Sequence, residues 1–127
     1  MVGGVEGQAV SVGTFDSWEQ VVAFALTLPD SSMDPYYGTP CPKVNKKAFV
    51  SPGHEAGSFH VPSPHDEKAV LLDTDPETFW QTKHYEGWPG LLVRYGSADP
   101  ERVATVIRRA WWDKASKAQR KGFGARP

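Results

Sequence analysis

Residues 28–50, LPDSSMDPYYGTPCPKVNKKAFV, decide how this chain folds. Leu28 closes a helical pattern, because Pro29 has no amide proton and disfavours helical geometry in the residue before it. Beyond that point the 3.6-residue period stops, and short extended segments separated by turn residues take over. Residues 34–39 read as a first strand, bent where Gly38 and Pro40 bracket a turn, and 41–44 continue it. Asn45 and Lys46 make a two-residue turn, although Lys46 lacks the freedom that glycine brings to such a position. Residues 47–51 return as the next strand. A helix that gives way to a meander predicts helices laid on an antiparallel sheet.

Upstream, Asp16 and Glu19 form a capping pair for a helix over 17–28, with Trp18, Val21, Val22, Ala25 and Leu28 on one face. Residues 1–13 are glycine-rich, lack the positive start of a signal peptide, and read as a mobile N-terminal tail. Downstream, the loop PGHEAG leads to a strand over 58–61. Ser63 caps a second helix, with Pro64 at its first position and Asp66 and Glu67 in the turn where the helix dipole favours negative charge. Residues 79–81 and 91–95 read as a further pair of strands, joined by the loop TKHYEGWPG. Asp99 and Pro100 open the last helix, whose buried stripe is Val103, Val106, Ile107, Ala110 and Trp111 and which ends near Ser116. The order α-β-β-β-α-β-β-α predicts an α+β fold: a two-layer sandwich built on a bent antiparallel sheet of about five strands. One domain covers 14–116, and 117–127 form a basic C-terminal tail.

The 127 residues, 39% of them hydrophobic, suit one domain with a core of its own. Cys41 is the single cysteine, which excludes an internal disulfide and points to a reducing compartment and a packing role for the thiol. No apolar run reaches the roughly 18–20 residues that cross a bilayer, so the expected location is cytoplasmic, without a membrane partner. The net charge of −1 divides unevenly: from Arg102 to the end there are eight basic residues and one acid, before it six basic and fourteen acidic. A negative body with a positive end suits a polyanionic partner, or a solvated basic helix face that the acidic body itself attracts.

Chemistry is harder to find. His54, His60, His65 and His84, with Cys41, are the candidate metal ligands, but their spacing matches no zinc pattern. No serine sits in a G-x-S-x-G elbow, and neither a Walker loop nor G-x-G-x-x-G occurs. These absences predict a non-enzymatic binding module with no catalytic residues, metal or cofactor.

Several short motifs recur in a telling order: Leu28 and Pro29 at the helix end, YGTP at 37–40, Lys43 and Val44, then Lys47, Ala48 and Phe49. Gly87 and Trp88 precede Leu91, Leu92 and Val93, and RRAWWDKASKAQRKGF closes the series at 108–123. Together, over residues 16–123, they resemble the MmcQ/YjbR family of small bacterial domains. The chain departs from that pattern at Pro89 and at Met33 and Asp34. The resemblance implies a double-wing fold, similar to frataxin-like and secretion-chaperone-like α/β domains, and DNA binding.

Arg108, Arg109, Lys114, Lys117, Arg120 and Lys121 would then meet phosphates from the last helix and the tail. Trp112 lies opposite the buried stripe, between Arg108 and Arg109, where it would stack on a base or wedge against it, or else pack under the tail against Phe123 or arginine stems. Lys46, Lys47 and Lys83 at hairpin tips would add phosphate contacts. DNA binding of this kind is weak and salt-sensitive, because it works by counterion release. Two other readings fit the same residues. One is a protein-interaction or chaperone-like module meeting an acidic protein surface, or dimerising through Trp112. The other is a small-ligand binder with a cleft beneath Tyr36, Tyr37, Trp80 and Trp88.

Overall fold

The computed structural model describes residues 13–36 and 39–127. Helix α1, Trp18–Ala25, is followed by a tightened turn in which Leu28 N–H bonds to Ala25 O at 3.1 Å. Ser31 Oγ donates to the carbonyls of Ala25 and Leu28, so the loose end of the helix is capped by a side chain. The start lies one residue later than the sequence suggests. Asp16 turns its carboxylate to Thr14, and Ser17 with Gln20 does the capping instead.

Strands β1 (Ser32–Tyr36), β2 (Thr39–Val44) and β3 (Lys47–Ala48) form one antiparallel sheet in that order. Tyr36 pairs with Thr39, so β1 and β2 are a hairpin rather than one bent strand. The bend expected at Gly38, and Tyr37 of the YGTP motif, lie outside the described residues. Asn45 and Lys46 turn the next hairpin with φ of 52° and 66°. Both are in the left-handed region, the geometry that matches strand twist.

The strand expected over 47–51 is two. Lys47–Ala48 stays with the first sheet, while Ser51–Pro52 becomes β4 of a second sheet. That sheet has the order β4-β5-β7-β6, with β5 at Ser58–Pro62, β6 at Phe79–Trp80 and β7 at Gly90–Arg94. The described residues thus hold seven short strands in two antiparallel sheets, where about five in one bent sheet were expected. Phe49 and Val50 plug into the core at the crossing point, where a backbone bond, Phe49 N–H to Pro42 O at 3.3 Å, still ties the segment to β2.

Helix α2, His65–Thr74, starts two residues beyond Ser63, with Pro64 at the cap position and no side-chain cap. Asp99 and Pro100 open α3, Pro100–Lys114, as their chemistry predicts; Asp99 Oδ1 accepts from Arg102 N–H. The supposed tail folds again as α4, Lys117–Phe123, because Ser116 and Gln119 close a reciprocal capping box. The architecture is α+β.

The core is continuous. Val21 and Ala25 of α1, Val103, Ile107 and Trp111 of α3, and Phe59, Val61, Leu91 and Val93 of the second sheet are all buried within it. Side chains alternate along a strand, so Ser58 and His60 of β5 face away from that core. Leu92, paired with His60, is nevertheless fully buried. The segment after β4 covers it: a Cβ added at Gly53 would stand 3.0 Å from Leu92 Cδ2. The second sheet is therefore packed on both faces, and the far face carries the site.

Candidate ligand-binding cleft

The basic end of the chain is largely engaged with the protein itself. The Arg108 guanidinium lies over the Phe24 ring at 5.2 Å. Arg120 donates to the carbonyls of Trp112 and Asp113 and covers the Trp112 ring at 5.6 Å. Arg126 bridges Glu67 and Asp113, which raises its pKa further, and Arg109 stands 3.9 Å from the same Glu67. Trp112 is half-buried, with its ring 6.2 Å from Phe123. Of the two readings of Trp112, the open indole between two guanidinium groups is corrected and the packed one is found: α4 folds back and brings Phe123 and Arg120 onto it.

Lys117 and Lys121 are exposed, as are Lys46, Lys47 and Lys83, and Lys114 is half-buried. Among the described residues, no carboxylate lies within ion-pair distance of these six lysines.

A different region brings polar and aromatic groups together around empty space. A cleft of about 420 Å³ is lined by Thr39 and Cys41 from β2, by Ser51, Pro52, Gly53 and His54, by His60 from β5, and by His84, Tyr85 and Trp88. The two sheets meet here. The last three side chains come from the loop expected to form a hairpin tip. Instead it winds into a short 3-10 turn, Lys83–Tyr85, and folds over the sheet.

Lys68 holds that loop down. It projects from α2, is only 5% exposed, and its Nζ donates to Tyr85 O at 2.7 Å and Trp88 O at 2.8 Å. Burial lowers its pKa, and Glu86 works the other way. A charged hydrogen bond in such a setting contributes roughly 1.5–3 kcal/mol. Tyr85 then stacks on His60, centroids 5.1 Å apart and planes within 23°, and meets the edge of His84 at 5.2 Å. Trp88, 61% exposed, is the most open large apolar side chain at the rim. Gly90 is required beneath: any Cβ there would lie 2.5 Å from His60 Nε2.

Burial pushes the His60 pKa down to about 4, helped by the charges of Lys68, His54 and Lys114, so its imidazole is neutral at pH 7. Cys41 is fully buried at the cleft floor; burial raises its thiol pKa, and Lys43 nearby opposes the rise. His65 lies elsewhere, beside Lys68 and Gln81. Although three histidines and a cysteine share the cleft, no three His, Cys, Asp or Glu side chains among the described residues converge as metal ligands. Trp80 is not part of the lining. Its Nε1 donates to Ser58 Oγ at 3.0 Å and Arg94 covers its ring at 4.6 Å. Tyr37 and the side chain of Tyr36 lie outside what is described; of Trp80 and Trp88, the second is found at the cleft.

Sequence reasoning missed the grouping of His54, His60 and His84 because they come from a loop, a strand and a 3-10 turn. The one visible signal was the dense run KHYEGW, too polar for a strand and too aromatic for an ordinary turn.

A larger groove, about 510 Å³, runs between α2 and α3 and includes Asp66, Glu67, Val70, Arg102 and Arg109. Several of its charged groups are already engaged: Glu67 takes Arg109 and Arg126, and Arg102 donates to Thr74 Oγ1 at 2.6 Å. The smaller cleft has the better claim to a ligand.

No known family profile matches this chain. It is similar to uncharacterised proteins of Mycobacterium bovis and Mycobacterium tuberculosis, 27% identical over 82 residues. The similarity takes in 61% of this chain and 64% of each relative's length, so it spans less than two thirds of either. No solved structure matches. No helix among the described residues is long and apolar enough to cross a membrane.

Proposed function

We propose that this protein is a non-enzymatic, cytoplasmic binding module of the MmcQ/YjbR type, and that it receives a small ligand in the cleft between its two sheets. One observation carries the reading: a buried lysine is used to clamp an aromatic loop over a concave, partly polar surface. Lys68 has no partner there except the two loop carbonyls and the opposing field of Glu86. Burying an ammonium group for two turn carbonyls is costly, and a loop with no task would be closed more cheaply by apolar contacts. Concave sites with an apolar wall and a few convergent polar groups are the usual form of small-molecule sites.

A fragment screen read by protein NMR tests this. Binders should perturb the imidazole signals of His54, His60 and His84 together, and Trp88→Ala should weaken them. Binders that cluster instead at the α2–α3 groove, or that ignore Trp88→Ala, would reject the cleft.

DNA binding is the second reading. It is supported by the six lysines without carboxylate partners, Lys46, Lys47, Lys83, Lys114, Lys117 and Lys121, and weakened by the engagement of Arg108, Arg109, Arg120 and Trp112. Titration of a labelled duplex at two salt concentrations checks it. A shift at low salt that fades at high salt, and is lost in a Lys114→Ala/Lys117→Ala/Lys121→Ala variant, supports it. The absence of any shift at low salt rejects it. An acidic protein surface would use the same lysines.

A further inference from the structure

We infer that the cleft selects a flat, unsaturated organic anion, its ring against Trp88 and its negative group toward the imidazoles. This rests on the cleft being the ligand site and adds the chemical class of the ligand. Among the described residues, ten line the cleft and none is an aspartate or glutamate, in a chain that has fifteen acids. The polar side chains among the lining residues are those of His54, His60 and His84, with Thr39, Ser51 and Tyr85. Lys43, Lys68 and Lys114 stand outside the lining, and their positive charge bears on it from behind: Lys43 on Cys41, Lys68 and Lys114 on His60. The acids adjoining the lining residues are Glu86 within the aromatic loop, Glu55 beside His54 and Asp34, the register partner of Cys41; all three are exposed and absent from the lining, and the field of Glu86 falls on Lys68 behind the loop.

The aromatic wall sets the shape. His60 and Tyr85 already form a stacked pair, and the open Trp88 ring follows three residues later on the same loop. A planar ring gains dispersion and stacking there that a saturated ligand does not. His60, neutral at pH 7, can offer a carboxylate its N–H donor but adds no charge of its own.

Three probes share one ring and differ only in charge: 1-naphthoate, 1-naphthamide and 1-naphthylmethylammonium. Each is titrated against the full chain at neutral pH, following the His54, His60 and His84 signals. Naphthoate should bind about tenfold tighter than the ammonium probe, a difference of about 1.4 kcal/mol, with the amide between. Lys114→Ala should weaken naphthoate about threefold and leave naphthamide unchanged. Equal affinity for all three probes, or preference for the cation, overturns the anion assignment while leaving the cleft a ligand site. If no probe perturbs those signals the assignment also fails, and the fragment screen decides the cleft separately.

Discussion

The helical C-terminal end and the cleft use similar residues in opposite ways. At the C-terminal end, Arg108, Arg109, Arg120 and Arg126 each close on a ring, a carbonyl or a carboxylate of the same chain. Positive charge there holds α3, α4 and α2 together. In the cleft, one buried lysine is fully committed, and through it the aromatic and imidazole groups around it are left facing open space. Charge that looks functional in a sequence is structural when its own fold supplies the partner. Polar groups that look incidental become a site when the fold arranges them around a void.

The adjacent tryptophans of α3 give the largest test of that contrast. Trp111 is fully buried, bonds through Nε1 to Pro29 O at 2.9 Å and packs 4.9 Å from Phe123. Trp111→Ala should cost about 3–5 kcal/mol in urea denaturation. Trp112→Ala, half-buried under Arg120 and Phe123, should cost about 1–2 kcal/mol. Equal losses would mean that the second indole is as structural as the first.

The next effect belongs to the cleft. Lys68→Met removes both bonds to the loop carbonyls, and the protein should lose about 2–3 kcal/mol. Amide exchange should rise across residues 83–88 and stay unchanged in α3. Protection that persists in that loop would show that Lys68 is not its clamp.

Acid should act through His60. Its pKa is about 4 in the folded chain against 6.5 when free, so the unfolded state binds more protons between those values. Stability is therefore retained above 6.5 and lost as pH falls toward 4, by about 2 kcal/mol between pH 7 and 5. His60 faces Lys68, His54 and Lys114 as charges, with Cys41, His84 and Tyr85 around the same cleft. In His60→Gln this component of the pH dependence should vanish from the denaturation curves.

The smallest effect returns to the C-terminal end. Glu67→Gln removes the carboxylate shared by Arg109 and Arg126, each about one-third exposed. A loss of about 1 kcal/mol is expected, because partial exposure screens the pair. The same variant frees guanidinium charge, so any duplex binding at low salt should strengthen. Unchanged binding would place those arginines outside a nucleic-acid surface altogether.

Much of the architecture was legible in the residues. Pro29, the turn at Asn45 and Lys46, and the opening of α3 at Asp99 and Pro100 are local effects, decided by dihedral limits and nearby donors. The α+β class followed from the order of periods. The split of 47–51 between two sheets was not legible, because Phe49 and Val50 leave the ladder for a core that distant residues build. The refolding of 117–123 was in fact written in Ser116 and Gln119, a capping pair hidden by the charge of the segment that follows.

By itself, then, the sequence determined which segments are helical, which are extended, and where several of them start and stop, since those choices depend on neighbours within about four positions. Only the tertiary structure decided which charges are free and which histidines share a space. Arg126 finds Glu67 fifty-nine residues away, and Lys68 reaches Trp88 twenty residues on. Pairings at that range depend on how the sheets and helices pack, and no spacing in the chain encodes them.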